Sequence, residues 1–325
     1  MEKGKLALIL TWLGRQAAPG EKEREAGFLF AFTFWAWGHL VRVELTLAEI
    51  RRAVRAALEE DLGAGDVTTL ATVPASAESV AYLNAREPLV VAGLQFAAMA
   101  FRELSPKIKL EELAGDGGRV KAGGKVLRIA GPSRAILSAE RVALNFVQRL
   151  SGVATATAQY VEAVGETSAK ILDTRKTTPG WRRFEKYAVS CGGGQNHRMG
   201  LHDLVLIKDN HLVALRNEKP NAIAAAVARA RARYPKLKVE VEADNLQQVE
   251  QAVEAGADIV LLDNMAPARL RLAVELVGGR AKTEASGGVN LKTVGAIAAT
   301  GVDYISVGAI THSARAVDLA LDFEE

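Results

Sequence analysis

The chain of 325 residues is 49% hydrophobic and 24% charged, the profile of a globular protein with room for about two domains of roughly 150 residues. Such a chain buries a large core without disulfide or metal staples, which excludes the disordered, collagenous and disulfide-scaffold classes. The 41 Lys and Arg against 38 Asp and Glu leave a net charge of +3, too small a surplus for a general nucleic-acid binder. The single cysteine, Cys191, rules out an intrachain disulfide and makes a reducing cytoplasm the expected compartment.

Residues 1–42 read differently from the rest. Two apolar stretches, Leu6–Leu13 and Ala26–Val41, flank a charged turn around Pro19–Arg24. The second holds 16 residues, short of the ~20 that a spanning helix needs. The order of charge and apolar runs does not fit a secretory signal either. The segment is read as an extension that the main fold does not require, translation from an upstream start being one origin, and no membrane role is expected.

From Leu47 to Glu60 the residues Ile50, Val54, Ala57 and Leu58 recur at helical spacing. The helix stops at Asp61-Leu62-Gly63-Ala64-Gly65-Asp66, a Gly-rich turn leading into Val67-Thr68-Thr69. Residues 79–131 follow as short apolar runs separated by Gly, Pro and Asp, which predicts a small sheet with one helix at Gly93–Leu104. Residues 136–162 carry a long helical pattern with a break expected at Ser151-Gly152.

Beyond Ala169 the pattern becomes strand, loop, helix, repeated. The predicted strands are Lys170–Asp173, Leu204–Ile207, Lys238–Glu242, Ile259–Leu262, Lys282–Ala285 and Tyr304–Val307, and the last four start 21 to 23 residues apart. Helical segments, among them Ala222–Tyr234, Leu246–Ala255 and Leu291–Ala299, lie between them. Such alternation implies parallel strands joined by crossover helices, hence an α/β barrel or an open α/β sheet, with a doubly wound sheet as the competitor.

The polar residues of this half gather at the C-terminal ends of the strands. The series is Asp173-Thr174-Arg175-Lys176, Lys208-Asp209-Asn210, Glu242, Asp263-Asn264, Ser286-Gly287-Gly288 and Ser306-Val307-Gly308. In barrels those ends converge on one mouth, where active sites are assembled, and the loops after the last strands often take a phosphate. Between Lys170 and His211 lie Arg175, Lys176, Arg182, Arg183, Lys186, Arg198 and Lys208, with His197, His202 and His211, against only four acids, Asp173, Glu185, Asp203 and Asp209. That cluster reads as a pocket for a multiply anionic ligand, arginine suiting carboxylates and lysine phosphates. A basic face for RNA is the weaker alternative, since Trp181 alone is well placed for stacking. Glu242 and Asp263 suit a Mg²⁺ ion or ribose hydroxyls, or else pair with lysines. The histidines lack zinc spacing, and Cys191, in a Ser-Cys-Gly-Gly-Gly loop, reads as a small buried filler rather than a nucleophile.

Taken together, these stretches resemble one family, the nicotinate-nucleotide pyrophosphorylases or quinolinate phosphoribosyltransferases. They are Glu60-Asp61-Leu62-Gly63 with Gly65-Asp66-Val67-Thr68-Thr69, Ala139-Glu140-Arg141 with Leu144-Asn145, Leu150-Ser151-Gly152-Val153-Ala154-Thr155, Asp173-Thr174-Arg175-Lys176-Thr177, Asn196-His197-Arg198-Met199-Gly200-Leu201, Ile207-Lys208-Asp209-Asn210-His211, Glu240-Val241-Glu242, Leu261-Leu262-Asp263-Asn264 and Ser286-Gly287-Gly288. The match runs in order over about residues 44–325, and as a set the motifs are highly specific.

The resemblance implies a type II phosphoribosyltransferase: a small N-terminal α/β sandwich domain over residues 43–150, then an incomplete α/β barrel over 151–325 whose last residues pack back on the first domain. It implies a homodimer and Mg²⁺ as cofactor. The implied reaction is quinolinate with phosphoribosyl pyrophosphate, giving nicotinate mononucleotide, pyrophosphate and CO₂ in de novo NAD biosynthesis. By similarity Arg141, Arg175, His197 and Arg198 hold the quinolinate carboxylates, Arg141 being donated across the dimer. Lys176 and Lys208 meet the pyrophosphate and the ring-proximal carboxylate, and Glu242 and Asp263 bind the ribose hydroxyls and the metal. Ser286, Gly287, Gly288 and Gly308 take the 5′-phosphate. The competing expectations are a paralogous phosphoribosyltransferase for another pyridine or azole, a phosphate-binding barrel lyase or isomerase, and a non-enzymatic binding module.

Overall fold

The computed structural model describes residues 43–324. The expectation for residues 1–42 lies outside the described residues. Helix α1 (Leu47–Leu62) starts on a capping box in which Thr46 and Glu49 satisfy each other's backbone amides. Its buried face is Ile50, Val54 and Leu58. The turn that follows leads into a short helix, α2 (Val67–Thr72), where the sequence suggested none. Asp66 explains it, its carboxylate accepting from the Thr69 amide at 3.0 Å.

Strands β1 (Glu78–Ala85), β3 (Lys109–Glu112) and β5 (Lys125–Pro132) build the expected small sheet, β2 (Leu89–Val90) and β4 (Arg119–Val120) pair separately, and α3 (Leu94–Leu104) packs against α1 and the long helix that follows β5. The main sheet is antiparallel in the order β12-β1-β5-β3. Its edge strand β12 (Leu319–Phe323) comes from the far end of the chain and pairs with β1, Leu319 opposite Ala85 and Phe323 opposite Ala81.

Helix α4 (Ser133–Ala163) runs 31 residues without the expected break at Ser151-Gly152. Glycine lowers helix propensity by about 1 kcal/mol, but here close packing requires it. A Cβ at Gly152 would lie 2.0 Å from the Arg315 carbonyl oxygen. Ser151 is likewise a contact, its Oγ accepting from the Ala92 amide at 2.9 Å. The helix packs on both the antiparallel sheet and the first elements of the second half.

That second half contains β6 (Lys170–Leu172), α5 (Arg182–Cys191), β7 (Val205–Ile207), α6 (Asp209–Ala214), α7 (Ala222–Arg233), β8 (Val239–Ala243), α8 (Leu246–Glu254), β9 (Ile259–Asp263), α9 (Pro267–Val277), β10 (Lys282–Ser286), α10 (Val294–Ala298), β11 (Tyr304–Ser306) and α11 (Ala309–His312). All six predicted strands are present, in one all-parallel sheet ordered β6-β11-β10-β9-β8-β7. Strands β7 to β11 are neighbours in chain order with no reversal, so the sheet is not doubly wound. It curls as an α/β barrel left open between β6 and β7. Cys191 closes α5 rather than standing in a loop. Among the described residues, no helix is long and apolar enough to cross a membrane.

Candidate active site

The chemistry begins where β6 ends. Asp173 is fully buried and accepts from the His197 amide and from Asn196 Nδ2, each at 2.8 Å, and from Lys186 Nζ. Lys186, also fully buried, gives a second bond to the His197 carbonyl at 2.9 Å. Burial pushes Asp173 up and Lys186 down, and the opposite charge of each resists this for the other. Lys186 is therefore a fixture of the interior and not part of an anion pocket, as the basic cluster had suggested.

Arg182 and Arg183 also leave the expected pocket. Arg182 ties two loops together, donating to Thr177 Oγ1 at 3.2 Å, to the Met199 carbonyl at 3.1 Å and to the Arg175 carbonyl at 3.4 Å. Arg183 pairs with Glu49 and the Glu44 carbonyl. A residue the sequence reading passed over, Arg149, holds the Thr311 carbonyl at 2.7 Å and buried Glu185 at 2.6 Å, while Glu185 caps the Thr178 amide at 3.0 Å. Spacing could not reveal the Arg149 bonds, because they join α4 to residues 36 and 162 positions further along the chain.

What stays at the mouth is Arg175, Arg198, Lys176 and Lys208. Arg198 Nη1 donates to the Leu204 carbonyl at 3.1 Å, and Asp203 shapes its loop by accepting from the Gly200 amide at 2.9 Å. Burial, then the neighbouring charge of Arg175, lowers Arg198 below the ordinary guanidinium value. Arg175 carries a buried Nε with no hydrogen-bond partner among the described residues. Two guanidiniums within electrostatic reach of each other, one with an unmet donor, suit a dianion.

His197 meets a different geometry from the one expected. Its Nδ1 accepts from the Arg198 amide at 2.7 Å, and its Nε2 lies 3.1 Å from Glu240 and 3.6 Å from Glu284. Both ring nitrogens face protein groups, so the imidazole sets the backbone of Arg198 rather than offering a free donor. Burial lowers its pKa, but the two glutamates outweigh that and raise it to about 9. A fully protonated ring gives up the Arg198 amide contact. Burial, followed by the charge of Glu240, pushes Glu284 up to about 8. The three ligand atoms of this trio lie within 4.8 Å of one another, but with its pKa raised to about 9 the ring is protonated at neutral pH, and an imidazolium has no lone pair for a cation.

On the other side, Lys208 Nζ pairs with Glu242 at 2.5 Å. Glu242 and Asp263 end neighbouring strands β8 and β9, and burial followed by the charge of Glu242 raises Asp263. These two hard carboxylates, partly open and mutually repelling, fit Mg²⁺ far better than the buried trio does. Asn264 donates to Asp263 at 2.6 Å from a left-handed backbone, φ 52°. Gly287, φ 89°, lies so close that a Cβ there would be 2.1 Å from Asn264 Oδ1. Ser286 pairs with Asp263 across the sheet, and exposed Gly288 follows. Gly308 faces the Lys176 stem, whose Cδ would be 3.1 Å from a Cβ. Arg141 stands apart: it is exposed on α4 and makes no hydrogen bond or ion pair among the described residues.

Comparison with known proteins agrees with this architecture. The family model described as "Quinolinate phosphoribosyl transferase, N-terminal domain" matches residues 66–151, and the corresponding C-terminal domain model matches residues 153–322. A nicotinate-nucleotide pyrophosphorylase [carboxylating] of Mycobacterium leprae (strain TN) is 43% identical over 278 residues, 84% of this chain and 96% of that protein. A chloroplastic protein of the same name from Arabidopsis thaliana is 41% identical over 292 residues, 85% of this chain and 83% of its own. The solved structure of the nicotinate-nucleotide pyrophosphorylase from Francisella tularensis superposes with a TM-score of 0.82 at 40% identity, covering 87% of this chain and 99% of that one. Two domain models in order and this identity over most of its length show that the chain belongs to the quinolinate phosphoribosyl transferase family.

Proposed function

We propose that the chain transfers the phosphoribosyl group of phosphoribosyl pyrophosphate to quinolinate with decarboxylation, giving nicotinate mononucleotide, pyrophosphate and CO₂ in de novo NAD biosynthesis. The observation that carries this reading is the placement of the Arg175–Arg198 pair and the Lys208–Glu242–Asp263 set at one end of the same parallel sheet. A dianionic ring needs the first and a pyrophosphorylated ribose needs the second.

Arg175 and Arg198 grip the adjacent carboxylates as bidentate forks. Arg141 reaches in from the second subunit of a homodimer, which its exposure on α4 favours. Lys176 and Lys208 act as point charges for the pyrophosphate and the ring-proximal carboxylate. Glu242 and Asp263 hold the ribose hydroxyls, and Ser286, Gly287, Gly288 and Gly308 line the 5′-phosphate. The same two carboxylates hold Mg²⁺, which when bound neutralises charge on the leaving diphosphate.

The sugar's C1–O bond loosens toward an oxocarbenium-like state as the pyridine nitrogen attacks. No protein nucleophile takes part, and the lysines stabilise the departing oxygens. Once the ring nitrogen is quaternary, the adjacent carboxylate leaves as CO₂; its bonding pair stays on the ring carbon, where the cation stabilises it, and a proton taken up there completes the product. The lone cysteine suits a cytoplasmic enzyme.

Product analysis with quinolinate, phosphoribosyl pyrophosphate and Mg²⁺ tests this. Equal amounts of nicotinate mononucleotide and CO₂ are expected. Turnover of another pyridine or azole without CO₂ overturns the substrate assignment.

A further inference from the structure

We propose that the buried Asp173–Lys186–Asn196 clamp is a specificity device that fixes the spacing of Arg175 and Arg198, so that the pocket reads two carboxylates on adjacent ring carbons. The proposal rests on the reading that this pocket takes quinolinate. Asp173 lies two residues before Arg175, and the clamp holds the backbone of His197, the residue just before Arg198, on both sides. Asp173 accepts from the His197 amide at 2.8 Å, and Lys186 donates to the His197 carbonyl at 2.9 Å. Asn196 Nδ2 bridges Asp173 and the Lys186 carbonyl, each at 2.8 Å, and its Oδ1 accepts from Ser190 Oγ at 3.1 Å. The backbone origins of the two arginines are thus bolted to each other through β6 and α5.

Stability does not explain such a device. Two charges with no exposed side-chain surface cost desolvation that their attraction roughly offsets, and apolar residues of similar volume commonly do as well or better. What an apolar filler cannot do is hold the N–H and the C=O of one residue in fixed directions. None of the three residues reaches the mouth itself, since each is buried. They are positioning residues.

The test compares quinolinate with its isomer pyridine-2,5-dicarboxylate, which carries the same charge at a wider spacing. Binding is measured by calorimetry on the full chain, alongside KM for phosphoribosyl pyrophosphate. For Lys186→Met the affinity for quinolinate is expected to fall about 30-fold and its preference over the isomer by about tenfold or more. KM for phosphoribosyl pyrophosphate is expected to move by less than about threefold. A folded Lys186→Met with wild-type preference overturns the proposal. Because that change orphans a buried carboxylate, Asn196→Ala serves as a second variant that leaves the ion pair in place. Its preference is expected to fall about threefold, and an unchanged preference there also overturns the clamp. Failure of the wild-type chain to turn over quinolinate is a separate result, and it tells against the function rather than the clamp.

Discussion

Lys208 Nζ lies 2.5 Å from Glu242 Oε2, and the two side chains differ sharply in exposure, 45% for the lysine and 10% for the glutamate. Both have substrate roles in the proposed reaction, so the pair links the pyrophosphate side of the site to the ribose side. Ligand binding then trades this internal contact for two external ones. Because the lysine is half in water, the pair adds only about 0–1 kcal/mol to folding. Lys208→Ala is expected to lower kcat/KM for phosphoribosyl pyrophosphate by about 100-fold or more while unfolding within about 1 kcal/mol of wild type. Steady-state kinetics and thermal denaturation on one preparation check both halves. Parallel losses of activity and stability would mark the lysine as structural.

Arg175 and Arg198 are the acceptor contacts in the proposed reaction, and Arg175 Nε is unmet among the described residues. A charge-assisted hydrogen bond contributes about 1.5–3 kcal/mol, so Arg175→Ala is expected to weaken quinolinate binding by roughly 10–150-fold. Phosphoribosyl pyrophosphate binding should hold within about threefold. Equal weakening of the two ligands in direct titrations removes Arg175 from the acceptor pocket.

Strand ends are easy to read because a parallel sheet announces itself by spacing and polar residues follow each apolar run. Asp173, Lys208, Glu242, Asp263 and Ser286 all stand at such ends. Which cation faces inward was not legible. Lys186 and Arg198 look alike in the sequence, yet one is sealed against Asp173 and the other borders the mouth. Only the meeting of α5 with β6 decides that. Gly152 misled for a related reason: its local signal is a helix breaker, and its use depends on the Arg315 backbone arriving from the far end of the chain. The sequence reads His197 as a quinolinate contact, but its Nδ1 faces the Arg198 amide and its Nε2 faces Glu240 and Glu284 through tertiary contacts that no spacing encodes.

Arg141 is exposed on α4 without a hydrogen-bond or ion-pair partner among the described residues, whereas Lys208 stands at the barrel mouth with Glu242. If each active site borrows Arg141 from the second subunit, Arg141→Ala and Lys208→Ala damage different halves of a shared site. Mixing the two inactive variants lets hybrids form in which one site has both residues. With random exchange about a quarter of the wild-type activity is expected to return. No recovery after subunit exchange has been demonstrated by mass would refute sharing of the site.

Glu87 ties the returning C-terminal segment to the N-terminal layer. It accepts from Arg315 Nη1 at 2.7 Å and from the Asp318 amide at 2.8 Å, just before β12 joins β1. The Arg315 hydrogen bonds, then the Asp318 amide, lower its pKa from 4.5 to about 2. A carboxyl depressed by folding adds stability that is complete above its unfolded value and disappears as pH falls through the folded one. The contribution of Glu87 is therefore whole at pH 6, shrinks below about pH 4.5 and is gone near pH 2. Solvent screening at this surface limits it to about 1 kcal/mol. Urea unfolding of wild type and Glu87→Gln from pH 6 to pH 3 is expected to give midpoints that differ at the top of the range and converge toward the bottom. A gap that stays constant with pH would mean that ionisation of Glu87 contributes nothing, the difference then coming from hydrogen bonds that the neutral amide fails to make.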